Sequence, residues 1–157
     1  QAKTNAEWER AIRTEQPAWC YHNNEPENGI TYGKLYNRYA VSDPRGLAPE
    51  GWDVATYEQW ISLTKQLGGN QQSAYELKSK VGWDNNGSDN YGFGAKAGGV
   101  RWAQGKFASR SRGVLKTSWL TKDRRIWNLY DHGFKEDEIV DADARAGFGG
   151  YVRCVKQ

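Results

Sequence analysis

Hydrophobic residues along this chain come in short bursts separated by glycine, asparagine and aspartate, and the clearest helical period lies between Gly46 and Gly69. There Tyr57, Trp60, Ile61, Thr64 and Leu67 fall three or four positions apart, which sets one apolar stripe against a core. Thr56 and Gln59 have the spacing of a capping box, in which the hydroxyl takes a first-turn N–H and the amide reaches back to the cap residue. Gly68 and Gly69 supply the left-handed stop. Just before this helix, Pro49, Gly51 and Trp52 make a bend that brings a large aromatic beside its start. Trp52 and Trp60 both read as core packing, since buried rings supply much of a small domain's apolar area.

The other patterns are shorter. Asn5 is a suitable cap for a helix from Ala6 to about Thr14, with Trp8, Ala11 and Ile12 on one side. Pro17 ends it, and Ala18 to Tyr21 alternates as a strand. His22 to Gly29 reads as a turn-rich loop. Leu35, Tyr36, Tyr39 and Ala40 have helical spacing, which predicts a second core helix over Gly33–Val41. Trp83 to Tyr91 is a loop, because its Asn, Asp, Ser and Gly residues satisfy their own backbone in turns. From Phe93 onward short alternating runs recur between glycines: 100–102, 106–108, 115–121, 125–130 and 151–155. Such runs predict an antiparallel sheet. Within Arg125–Tyr130, Trp127 and Leu129 form the inward face, joined by Val152 and Cys154, while Ile126, Asn128 and Tyr130 face away. The stretch from Glu136 to Asp143, with five carboxylates in eight residues, reads as a solvated loop. The fold class is α+β.

Composition narrows the function. At 157 residues the chain has the size of one domain. Aromatic residues make up 13%, glycines number 18 and methionine is absent, so rings carry the core. The net charge of +3 comes from 22 basic and 19 acidic residues without dense basic runs, which argues against a nucleic-acid partner. No stretch approaches the roughly 18 apolar residues of a membrane helix. Beginning at Gln1, the chain reads as a mature or trimmed product, and a removed signal peptide fits that reading. Cys20 and Cys154 are the two cysteines. They are open to two readings: a pair of buried thiols, or one disulfide between the first and last strands.

Gly51-Trp52-Asp53-Val54-Ala55-Thr56, followed by Glu58, Trp60 and Leu63, resembles the G-W-H-V-P-T-x-x-E-W-x-x-L core of the Fibrobacter succinogenes major paralogous domain. Ala18–Tyr21, Tyr32–Asn37, Leu77–Ser79 with Gly82-Trp83, Gly92-Phe93, Gly98-Gly99-Val100-Arg101 and Gly150–Lys156 occur in the family's order. The resemblance implies a C-type-lectin-like fold over 17–157, related to formylglycine-generating-enzyme domains, with two core helices on a small twisted sheet and residues 1–16 as an N-terminal helical extension. It also implies a Cys20–Cys154 disulfide, an oxidising compartment, and hence a secreted or cell-surface location. The chain departs from the family pattern at Asp53 and Ala55, at Lys96-Ala97, and at Thr117–Thr121.

No enzyme chemistry is expected. His22 and His132 are the only histidines, no Gly-x-Ser-x-Gly or phosphate loop is present, and both cysteines match structural positions of the family. Glu25-Pro26 and Asn28 resemble the calcium and sugar motif of C-type lectins but precede both expected helices. Asp84, Asn85, Asn86 and Asp89 carry oxygen ligands with no EF-hand spacing, so neither a metal nor a cofactor is expected. The expectation is a non-catalytic binding module that recognises a glycan or protein ligand through late strands and loops, as some variable proteins of diversity-generating retroelements in this family do. Its alternative is a structural subunit of a larger surface assembly. The predicted ligand face combines the rings of Trp102, Trp119 and Tyr130 with Asp84, Asn85, Asn86 and Asp89, and has Asp131 and His132 at its edge.

Overall fold

Thr4, one residue ahead of the predicted cap, opens the first helix: its hydroxyl accepts the Glu7 N–H at 3.1 Å, and the Glu7 carboxylate accepts the Thr4 N–H at 3.0 Å. The computed structural model describes residues 1–111, 113–131, 138–143 and 147–157. In chain order these form α1 (Asn5–Arg13), β1 (Trp19–Cys20), a 3₁₀ turn at His22–Asn24, α2 (Pro26–Tyr32), β2 (Leu35–Asn37), α3 (Arg38–Val41), β3 (Trp52–Val54), α4 (Tyr57–Gln66) and α5 (Asn70–Leu77). Strands then dominate: β4 (Val100–Arg101), β5 (Phe107–Ala108), β6 (Arg110–Ser111), β7 (Val114–Leu120), β8 (Arg125–Tyr130), β9 (Glu138–Asp143), β10 (Gly149–Gly150) and β11 (Cys154–Lys156). This is an α+β protein.

The strands make three antiparallel groups, ordered β1-β2-β10-β4-β5, β6-β7-β8-β9 and β11-β3. Single bridges from Gly99 to Thr117 and from Trp119 to Tyr151 tie the first two groups together. Between them lies an aromatic centre. Trp60 of α4 stacks on Trp127 of β8 at 4.2 Å between ring centroids, with Trp119 of β7 at 5.4 Å and Phe93 at 5.8 Å from Trp60. The same core takes in Trp8, Cys20, Leu35, Leu77 and Leu129. Residues 1–16 therefore pack as part of one core with the rest of the chain.

Arg101 fastens that N-terminal segment. Fully buried, it donates to the carbonyls of Gly105, Ala2 and Thr4 at 3.0, 3.2 and 3.0 Å, and to the side-chain oxygens of Asn24 and Asn5 at 3.3 Å each. Its guanidinium lies between Trp8 and Phe107, 4.8 and 4.6 Å from their ring centroids. The glycines before it are equally determined. A Cβ on Gly98 would stand 2.5 Å from the Tyr151 hydroxyl, and one on Gly99, at φ +69, 2.5 Å from the Ala108 carbonyl.

Several expectations are corrected. Residues 35–37 are strand, not helix: β2 pairs with β1 on one side and β10 on the other. The helical spacing there was accidental, and only Arg38–Val41 coils. His22–Gly29 contains a 3₁₀ turn and the start of α2, with Pro26 at a first-turn position. Glu138–Asp143 is a strand paired with β8 along its whole length; Glu136 and Asp137 lie outside the described residues. Ile126 and Asn128 are buried as well as Trp127 and Leu129, because the face predicted to look outward covers a second cluster with Val100, Leu120 and Phe148. Val152 and Cys154 are only half-buried, and Trp52 is exposed. Cys20 and Cys154 are free thiols. Cys20 points into the main core from β1, whereas Cys154 sits opposite Val54 in the separate β3–β11 ladder. Burial raises the pKa of both thiols. The compartment inferred from their pairing loses that support.

Candidate functional site

A cleft of about 510 Å³ opens where α2, β2, the 93–98 loop, β7 and the segment after β10 converge. α2 ends at Gly33, whose φ of +80 turns the chain sharply into β2 and leaves no side chain over the opening. Tyr32 and Tyr36 contribute half-buried rings to its wall, while Trp119 and Tyr151 lie deeper and form its floor. The Tyr151 hydroxyl donates to the Gly98 carbonyl at 2.7 Å, and burial raises its pKa well above the ordinary phenol value. A second hollow of about 530 Å³ is lined by Tyr21 and Pro26 and shares Gly29, Ile30, Gly33, Lys34 and Tyr36 with the cleft. The depression is therefore elongated.

Its charge is one-sided. Lys34, Lys96 and Arg153 line the cleft, and among the described residues no carboxylate does. Lys34 holds its ammonium 4.2 Å from the centroid of the Trp19 ring. Arg153 stacks over Phe93 at 4.5 Å and donates to the Phe93 carbonyl at 2.9 Å. Cation–π contact fixes such a head group without neutralising it. Burial lowers the Arg153 pKa while the field of Asp89 works against that; Asp89 itself is occupied by the Gly94 N–H at 2.7 Å.

The predicted ligand face is distributed differently. Trp119 is 3% exposed and belongs to the aromatic centre, so it is not a surface ring. Of the predicted residues it alone lines the cleft, as floor. Asp131 is buried and forms an ion pair with buried Lys78 at 3.2 Å. It also accepts the Asn85 backbone N–H at 2.8 Å and the Asn85 amide at 3.2 Å. Burial pushes Asp131 up, but the Asn85 N–H and the Lys78 ammonium outweigh it and hold its carboxyl below the usual range. Asp84 takes a bidentate contact from Arg110 at 2.7 and 2.8 Å, and Asn86 accepts the Trp83 N–H at 3.1 Å. Thus the 84–90 loop spends polar atoms on fastening itself to Arg110, Asp131 and Glu76. Trp102 is 39% exposed, but its ring leans on Phe148 at 5.6 Å. With Tyr130 and Phe148 it surrounds the buried Lys116 ammonium at 4.6, 5.7 and 5.9 Å. His132 lies outside the described residues. Among the described residues no three His, Cys, Asp or Glu side chains converge in a way that could hold a metal ion.

The family model of the Fibrobacter succinogenes major domain matches residues 1–156, from before α1 to the last strand. The chain belongs to the Fibrobacter succinogenes major domain family. No curated protein and no solved structure matches it. In this Fibrobacter succinogenes major domain the Gly98-Gly99-Val100-Arg101 phrase is the joint that seats the N-terminus. Two of the family-like phrases, Tyr32–Asn37 and Gly150–Lys156, both contribute residues to the lining of the cleft. Sequence reasoning missed Lys34, Tyr36, Lys96 and Arg153 as site residues. They come from three distant segments, and no local spacing links them.

Proposed function

We propose that this chain is a non-catalytic binding module of a secreted or cell-surface bacterial protein, and that its ligand is a glycan chain lying in the cleft along α2 and β2. The observation that carries this reading is the elongated depression walled by Tyr21, Tyr32 and Tyr36 and floored by Trp119 and Tyr151. Ring faces suit the apolar faces of sugars, and a long open groove suits a polymer more than a single small molecule. The C-type-lectin-like arrangement and the extracytoplasmic location belong to the same proposal. Both rest on the family resemblance, and the antiparallel strands with flanking helices are compatible with the first. To test it, immobilised glycans are screened against the wild type, Tyr36→Ala and, as a control outside the cleft, Trp102→Ala. Loss of binding with Tyr36→Ala alone is expected. Loss with Trp102→Ala alone moves the site to the Lys116 cluster.

A second reading, a subunit packed against partners in a surface assembly, is favoured by a different hollow. It measures about 710 Å³ and is lined by Trp60, Leu63, Leu67, Phe93, Val155 and the exposed Tyr91. A permanent partner there predicts self-association of the isolated chain, measurable by sedimentation and abolished by Tyr91→Glu.

A further inference from the structure

We propose that the glycan held in this cleft is acidic, with carboxylate or sulfate groups repeated along it, and that Lys34, Lys96 and Arg153 are the residues that read those groups. The inference rests on the glycan reading above and adds the ligand's charge.

Charge is nearly balanced over the whole chain, with 22 basic and 19 acidic residues. Three surface cations elsewhere meet carboxylates: Arg45 meets Asp43, Arg110 meets Asp84, and Lys122 meets Asp53. Three cations from three separate segments line one depression, and among the described residues none of them forms an ion pair. Placing like charges along one concave wall is unfavourable where only Asp89, beside Arg153, offsets them, and low-dielectric walls focus their combined field into the opening. An anionic ligand relieves that repulsion as it binds. Two of the head groups are also pre-positioned, Lys34 on the Trp19 ring and Arg153 on Phe93. Arg153 uses one terminal nitrogen on the Phe93 carbonyl. Its remaining donors match a carboxylate or sulfate, whose planar or tetrahedral oxygens suit the guanidinium fork.

A saccharide fits better than an acidic peptide. Peptides commonly bind along a groove by adding a strand to a free sheet edge, and the strands that line this cleft are already paired on both sides, β2 by β1 and β10 and β7 by β6 and β8. What the wall offers instead is half-buried tyrosine rings interleaved with cations.

The test is calorimetric titration of the whole chain with tetragalacturonate and a heparin-derived hexasaccharide as acidic probes, cellohexaose and chitohexaose as neutral ones, and hexaglutamate as the peptide. At least one acidic saccharide is expected to bind. Its affinity should fall about tenfold or more between 50 and 300 mM salt, because the opening is exposed to screening. Lys96→Gln, which breaks no ion pair among the described residues, should weaken binding about tenfold, the loss of one charge-assisted contact. Its melting temperature should not change. Arg153→Lys, which keeps the charge and loses the fork, separates charge from geometry and should weaken binding less than Arg153→Gln. Neutral saccharides binding as well as acidic ones, with no salt dependence, would overturn the charge inference and leave the glycan reading standing. Binding of hexaglutamate alone, or of no probe, overturns both.

Discussion

Replacing Arg101 should detach the N-terminal helix from the domain before the rest unfolds. Its guanidinium makes five hydrogen bonds, to Ala2, Thr4, Asn5, Asn24 and Gly105, and no carboxylate shares them. A hydrogen bond to a charged group contributes about 1.5–3 kcal/mol, so the gross sum is on the order of 10 kcal/mol. Against this stands the cost of stripping water from a buried guanidinium, several kcal/mol. The net loss expected for Arg101→Met is about 3–5 kcal/mol, a large share of the 5–15 kcal/mol typical of a whole domain. With an m-value of about 2 kcal/mol per molar, the urea midpoint should fall by roughly 2 M. Arg101→Lys should recover little, because a point charge cannot reach the Ala2, Thr4 and Gly105 carbonyls together. The decisive readout is hydrogen exchange: amides of α1 should lose protection in both variants at denaturant concentrations where β7 and β8 remain protected. The exposed Arg110→Met serves as control, since a surface pair such as Arg110–Asp84 contributes about 0–1 kcal/mol. A midpoint unchanged in Arg101→Met, or α1 protected as in the wild type, would show that Arg101 does not hold the N-terminal helix.

Trp60→Ala should cost about 3–5 kcal/mol, since Trp60 is 3% exposed and stacked in the aromatic centre, and Trp102→Ala much less; equal urea midpoint shifts would show that one ring has been misjudged. Lys78→Met and Asp131→Asn should each destabilise by about 3–5 kcal/mol, because each breaks a fully buried ion pair from one side. The double variant should cost less than the sum of the two, and strict additivity in chemical denaturation would contradict the pairing. Burial lowers the Lys116 amine from 10.5 to about 8. The unfolded chain therefore binds the extra proton between those values, and stability should rise from pH 8 towards pH 10 by up to about 3 kcal/mol. Lys116→Met should be more stable than the wild type at pH 7 and lack that rise; a flat wild-type profile by thermal or urea unfolding over this range would refute it.

Much of the fold was legible because its signals were local. Thr56 and Gln59 form the capping box that starts α4, and Trp60 and Thr64 are its buried face. The alternation in β8 placed Trp127 and Leu129 correctly. It could not reveal that Ile126 meets a second cluster and that Asn128 is buried against Ser118, because burial on both sides depends on what the rest of the chain brings to the other face. Asn37 shows tertiary structure overriding local spacing: its side-chain oxygen accepts the N–H of Ala18 at 3.0 Å and of Ala40 at 2.9 Å, which ends β2 and starts α3. Helix α5 was hard to see because its residues are mostly polar and only Ser73, Ala74 and Leu77 are buried. The predicted ligand face rested on aromatic residues being exposed, and Trp119 belonged to the core. The cleft was invisible for the opposite reason: its cations stand at 34, 96 and 153, and only the fold brings them together.

The most direct test of the cleft is a two-dimensional ¹⁵N NMR titration with the acidic saccharide of highest affinity. The largest shift changes should fall on the amides of Tyr32, Lys34, Tyr36, Lys96, Gly98 and Arg153, and they should weaken together in Lys96→Gln. Changes confined to Trp102, Tyr130 and the 84–90 loop, with the cleft amides unmoved, would contradict the cleft as the binding site.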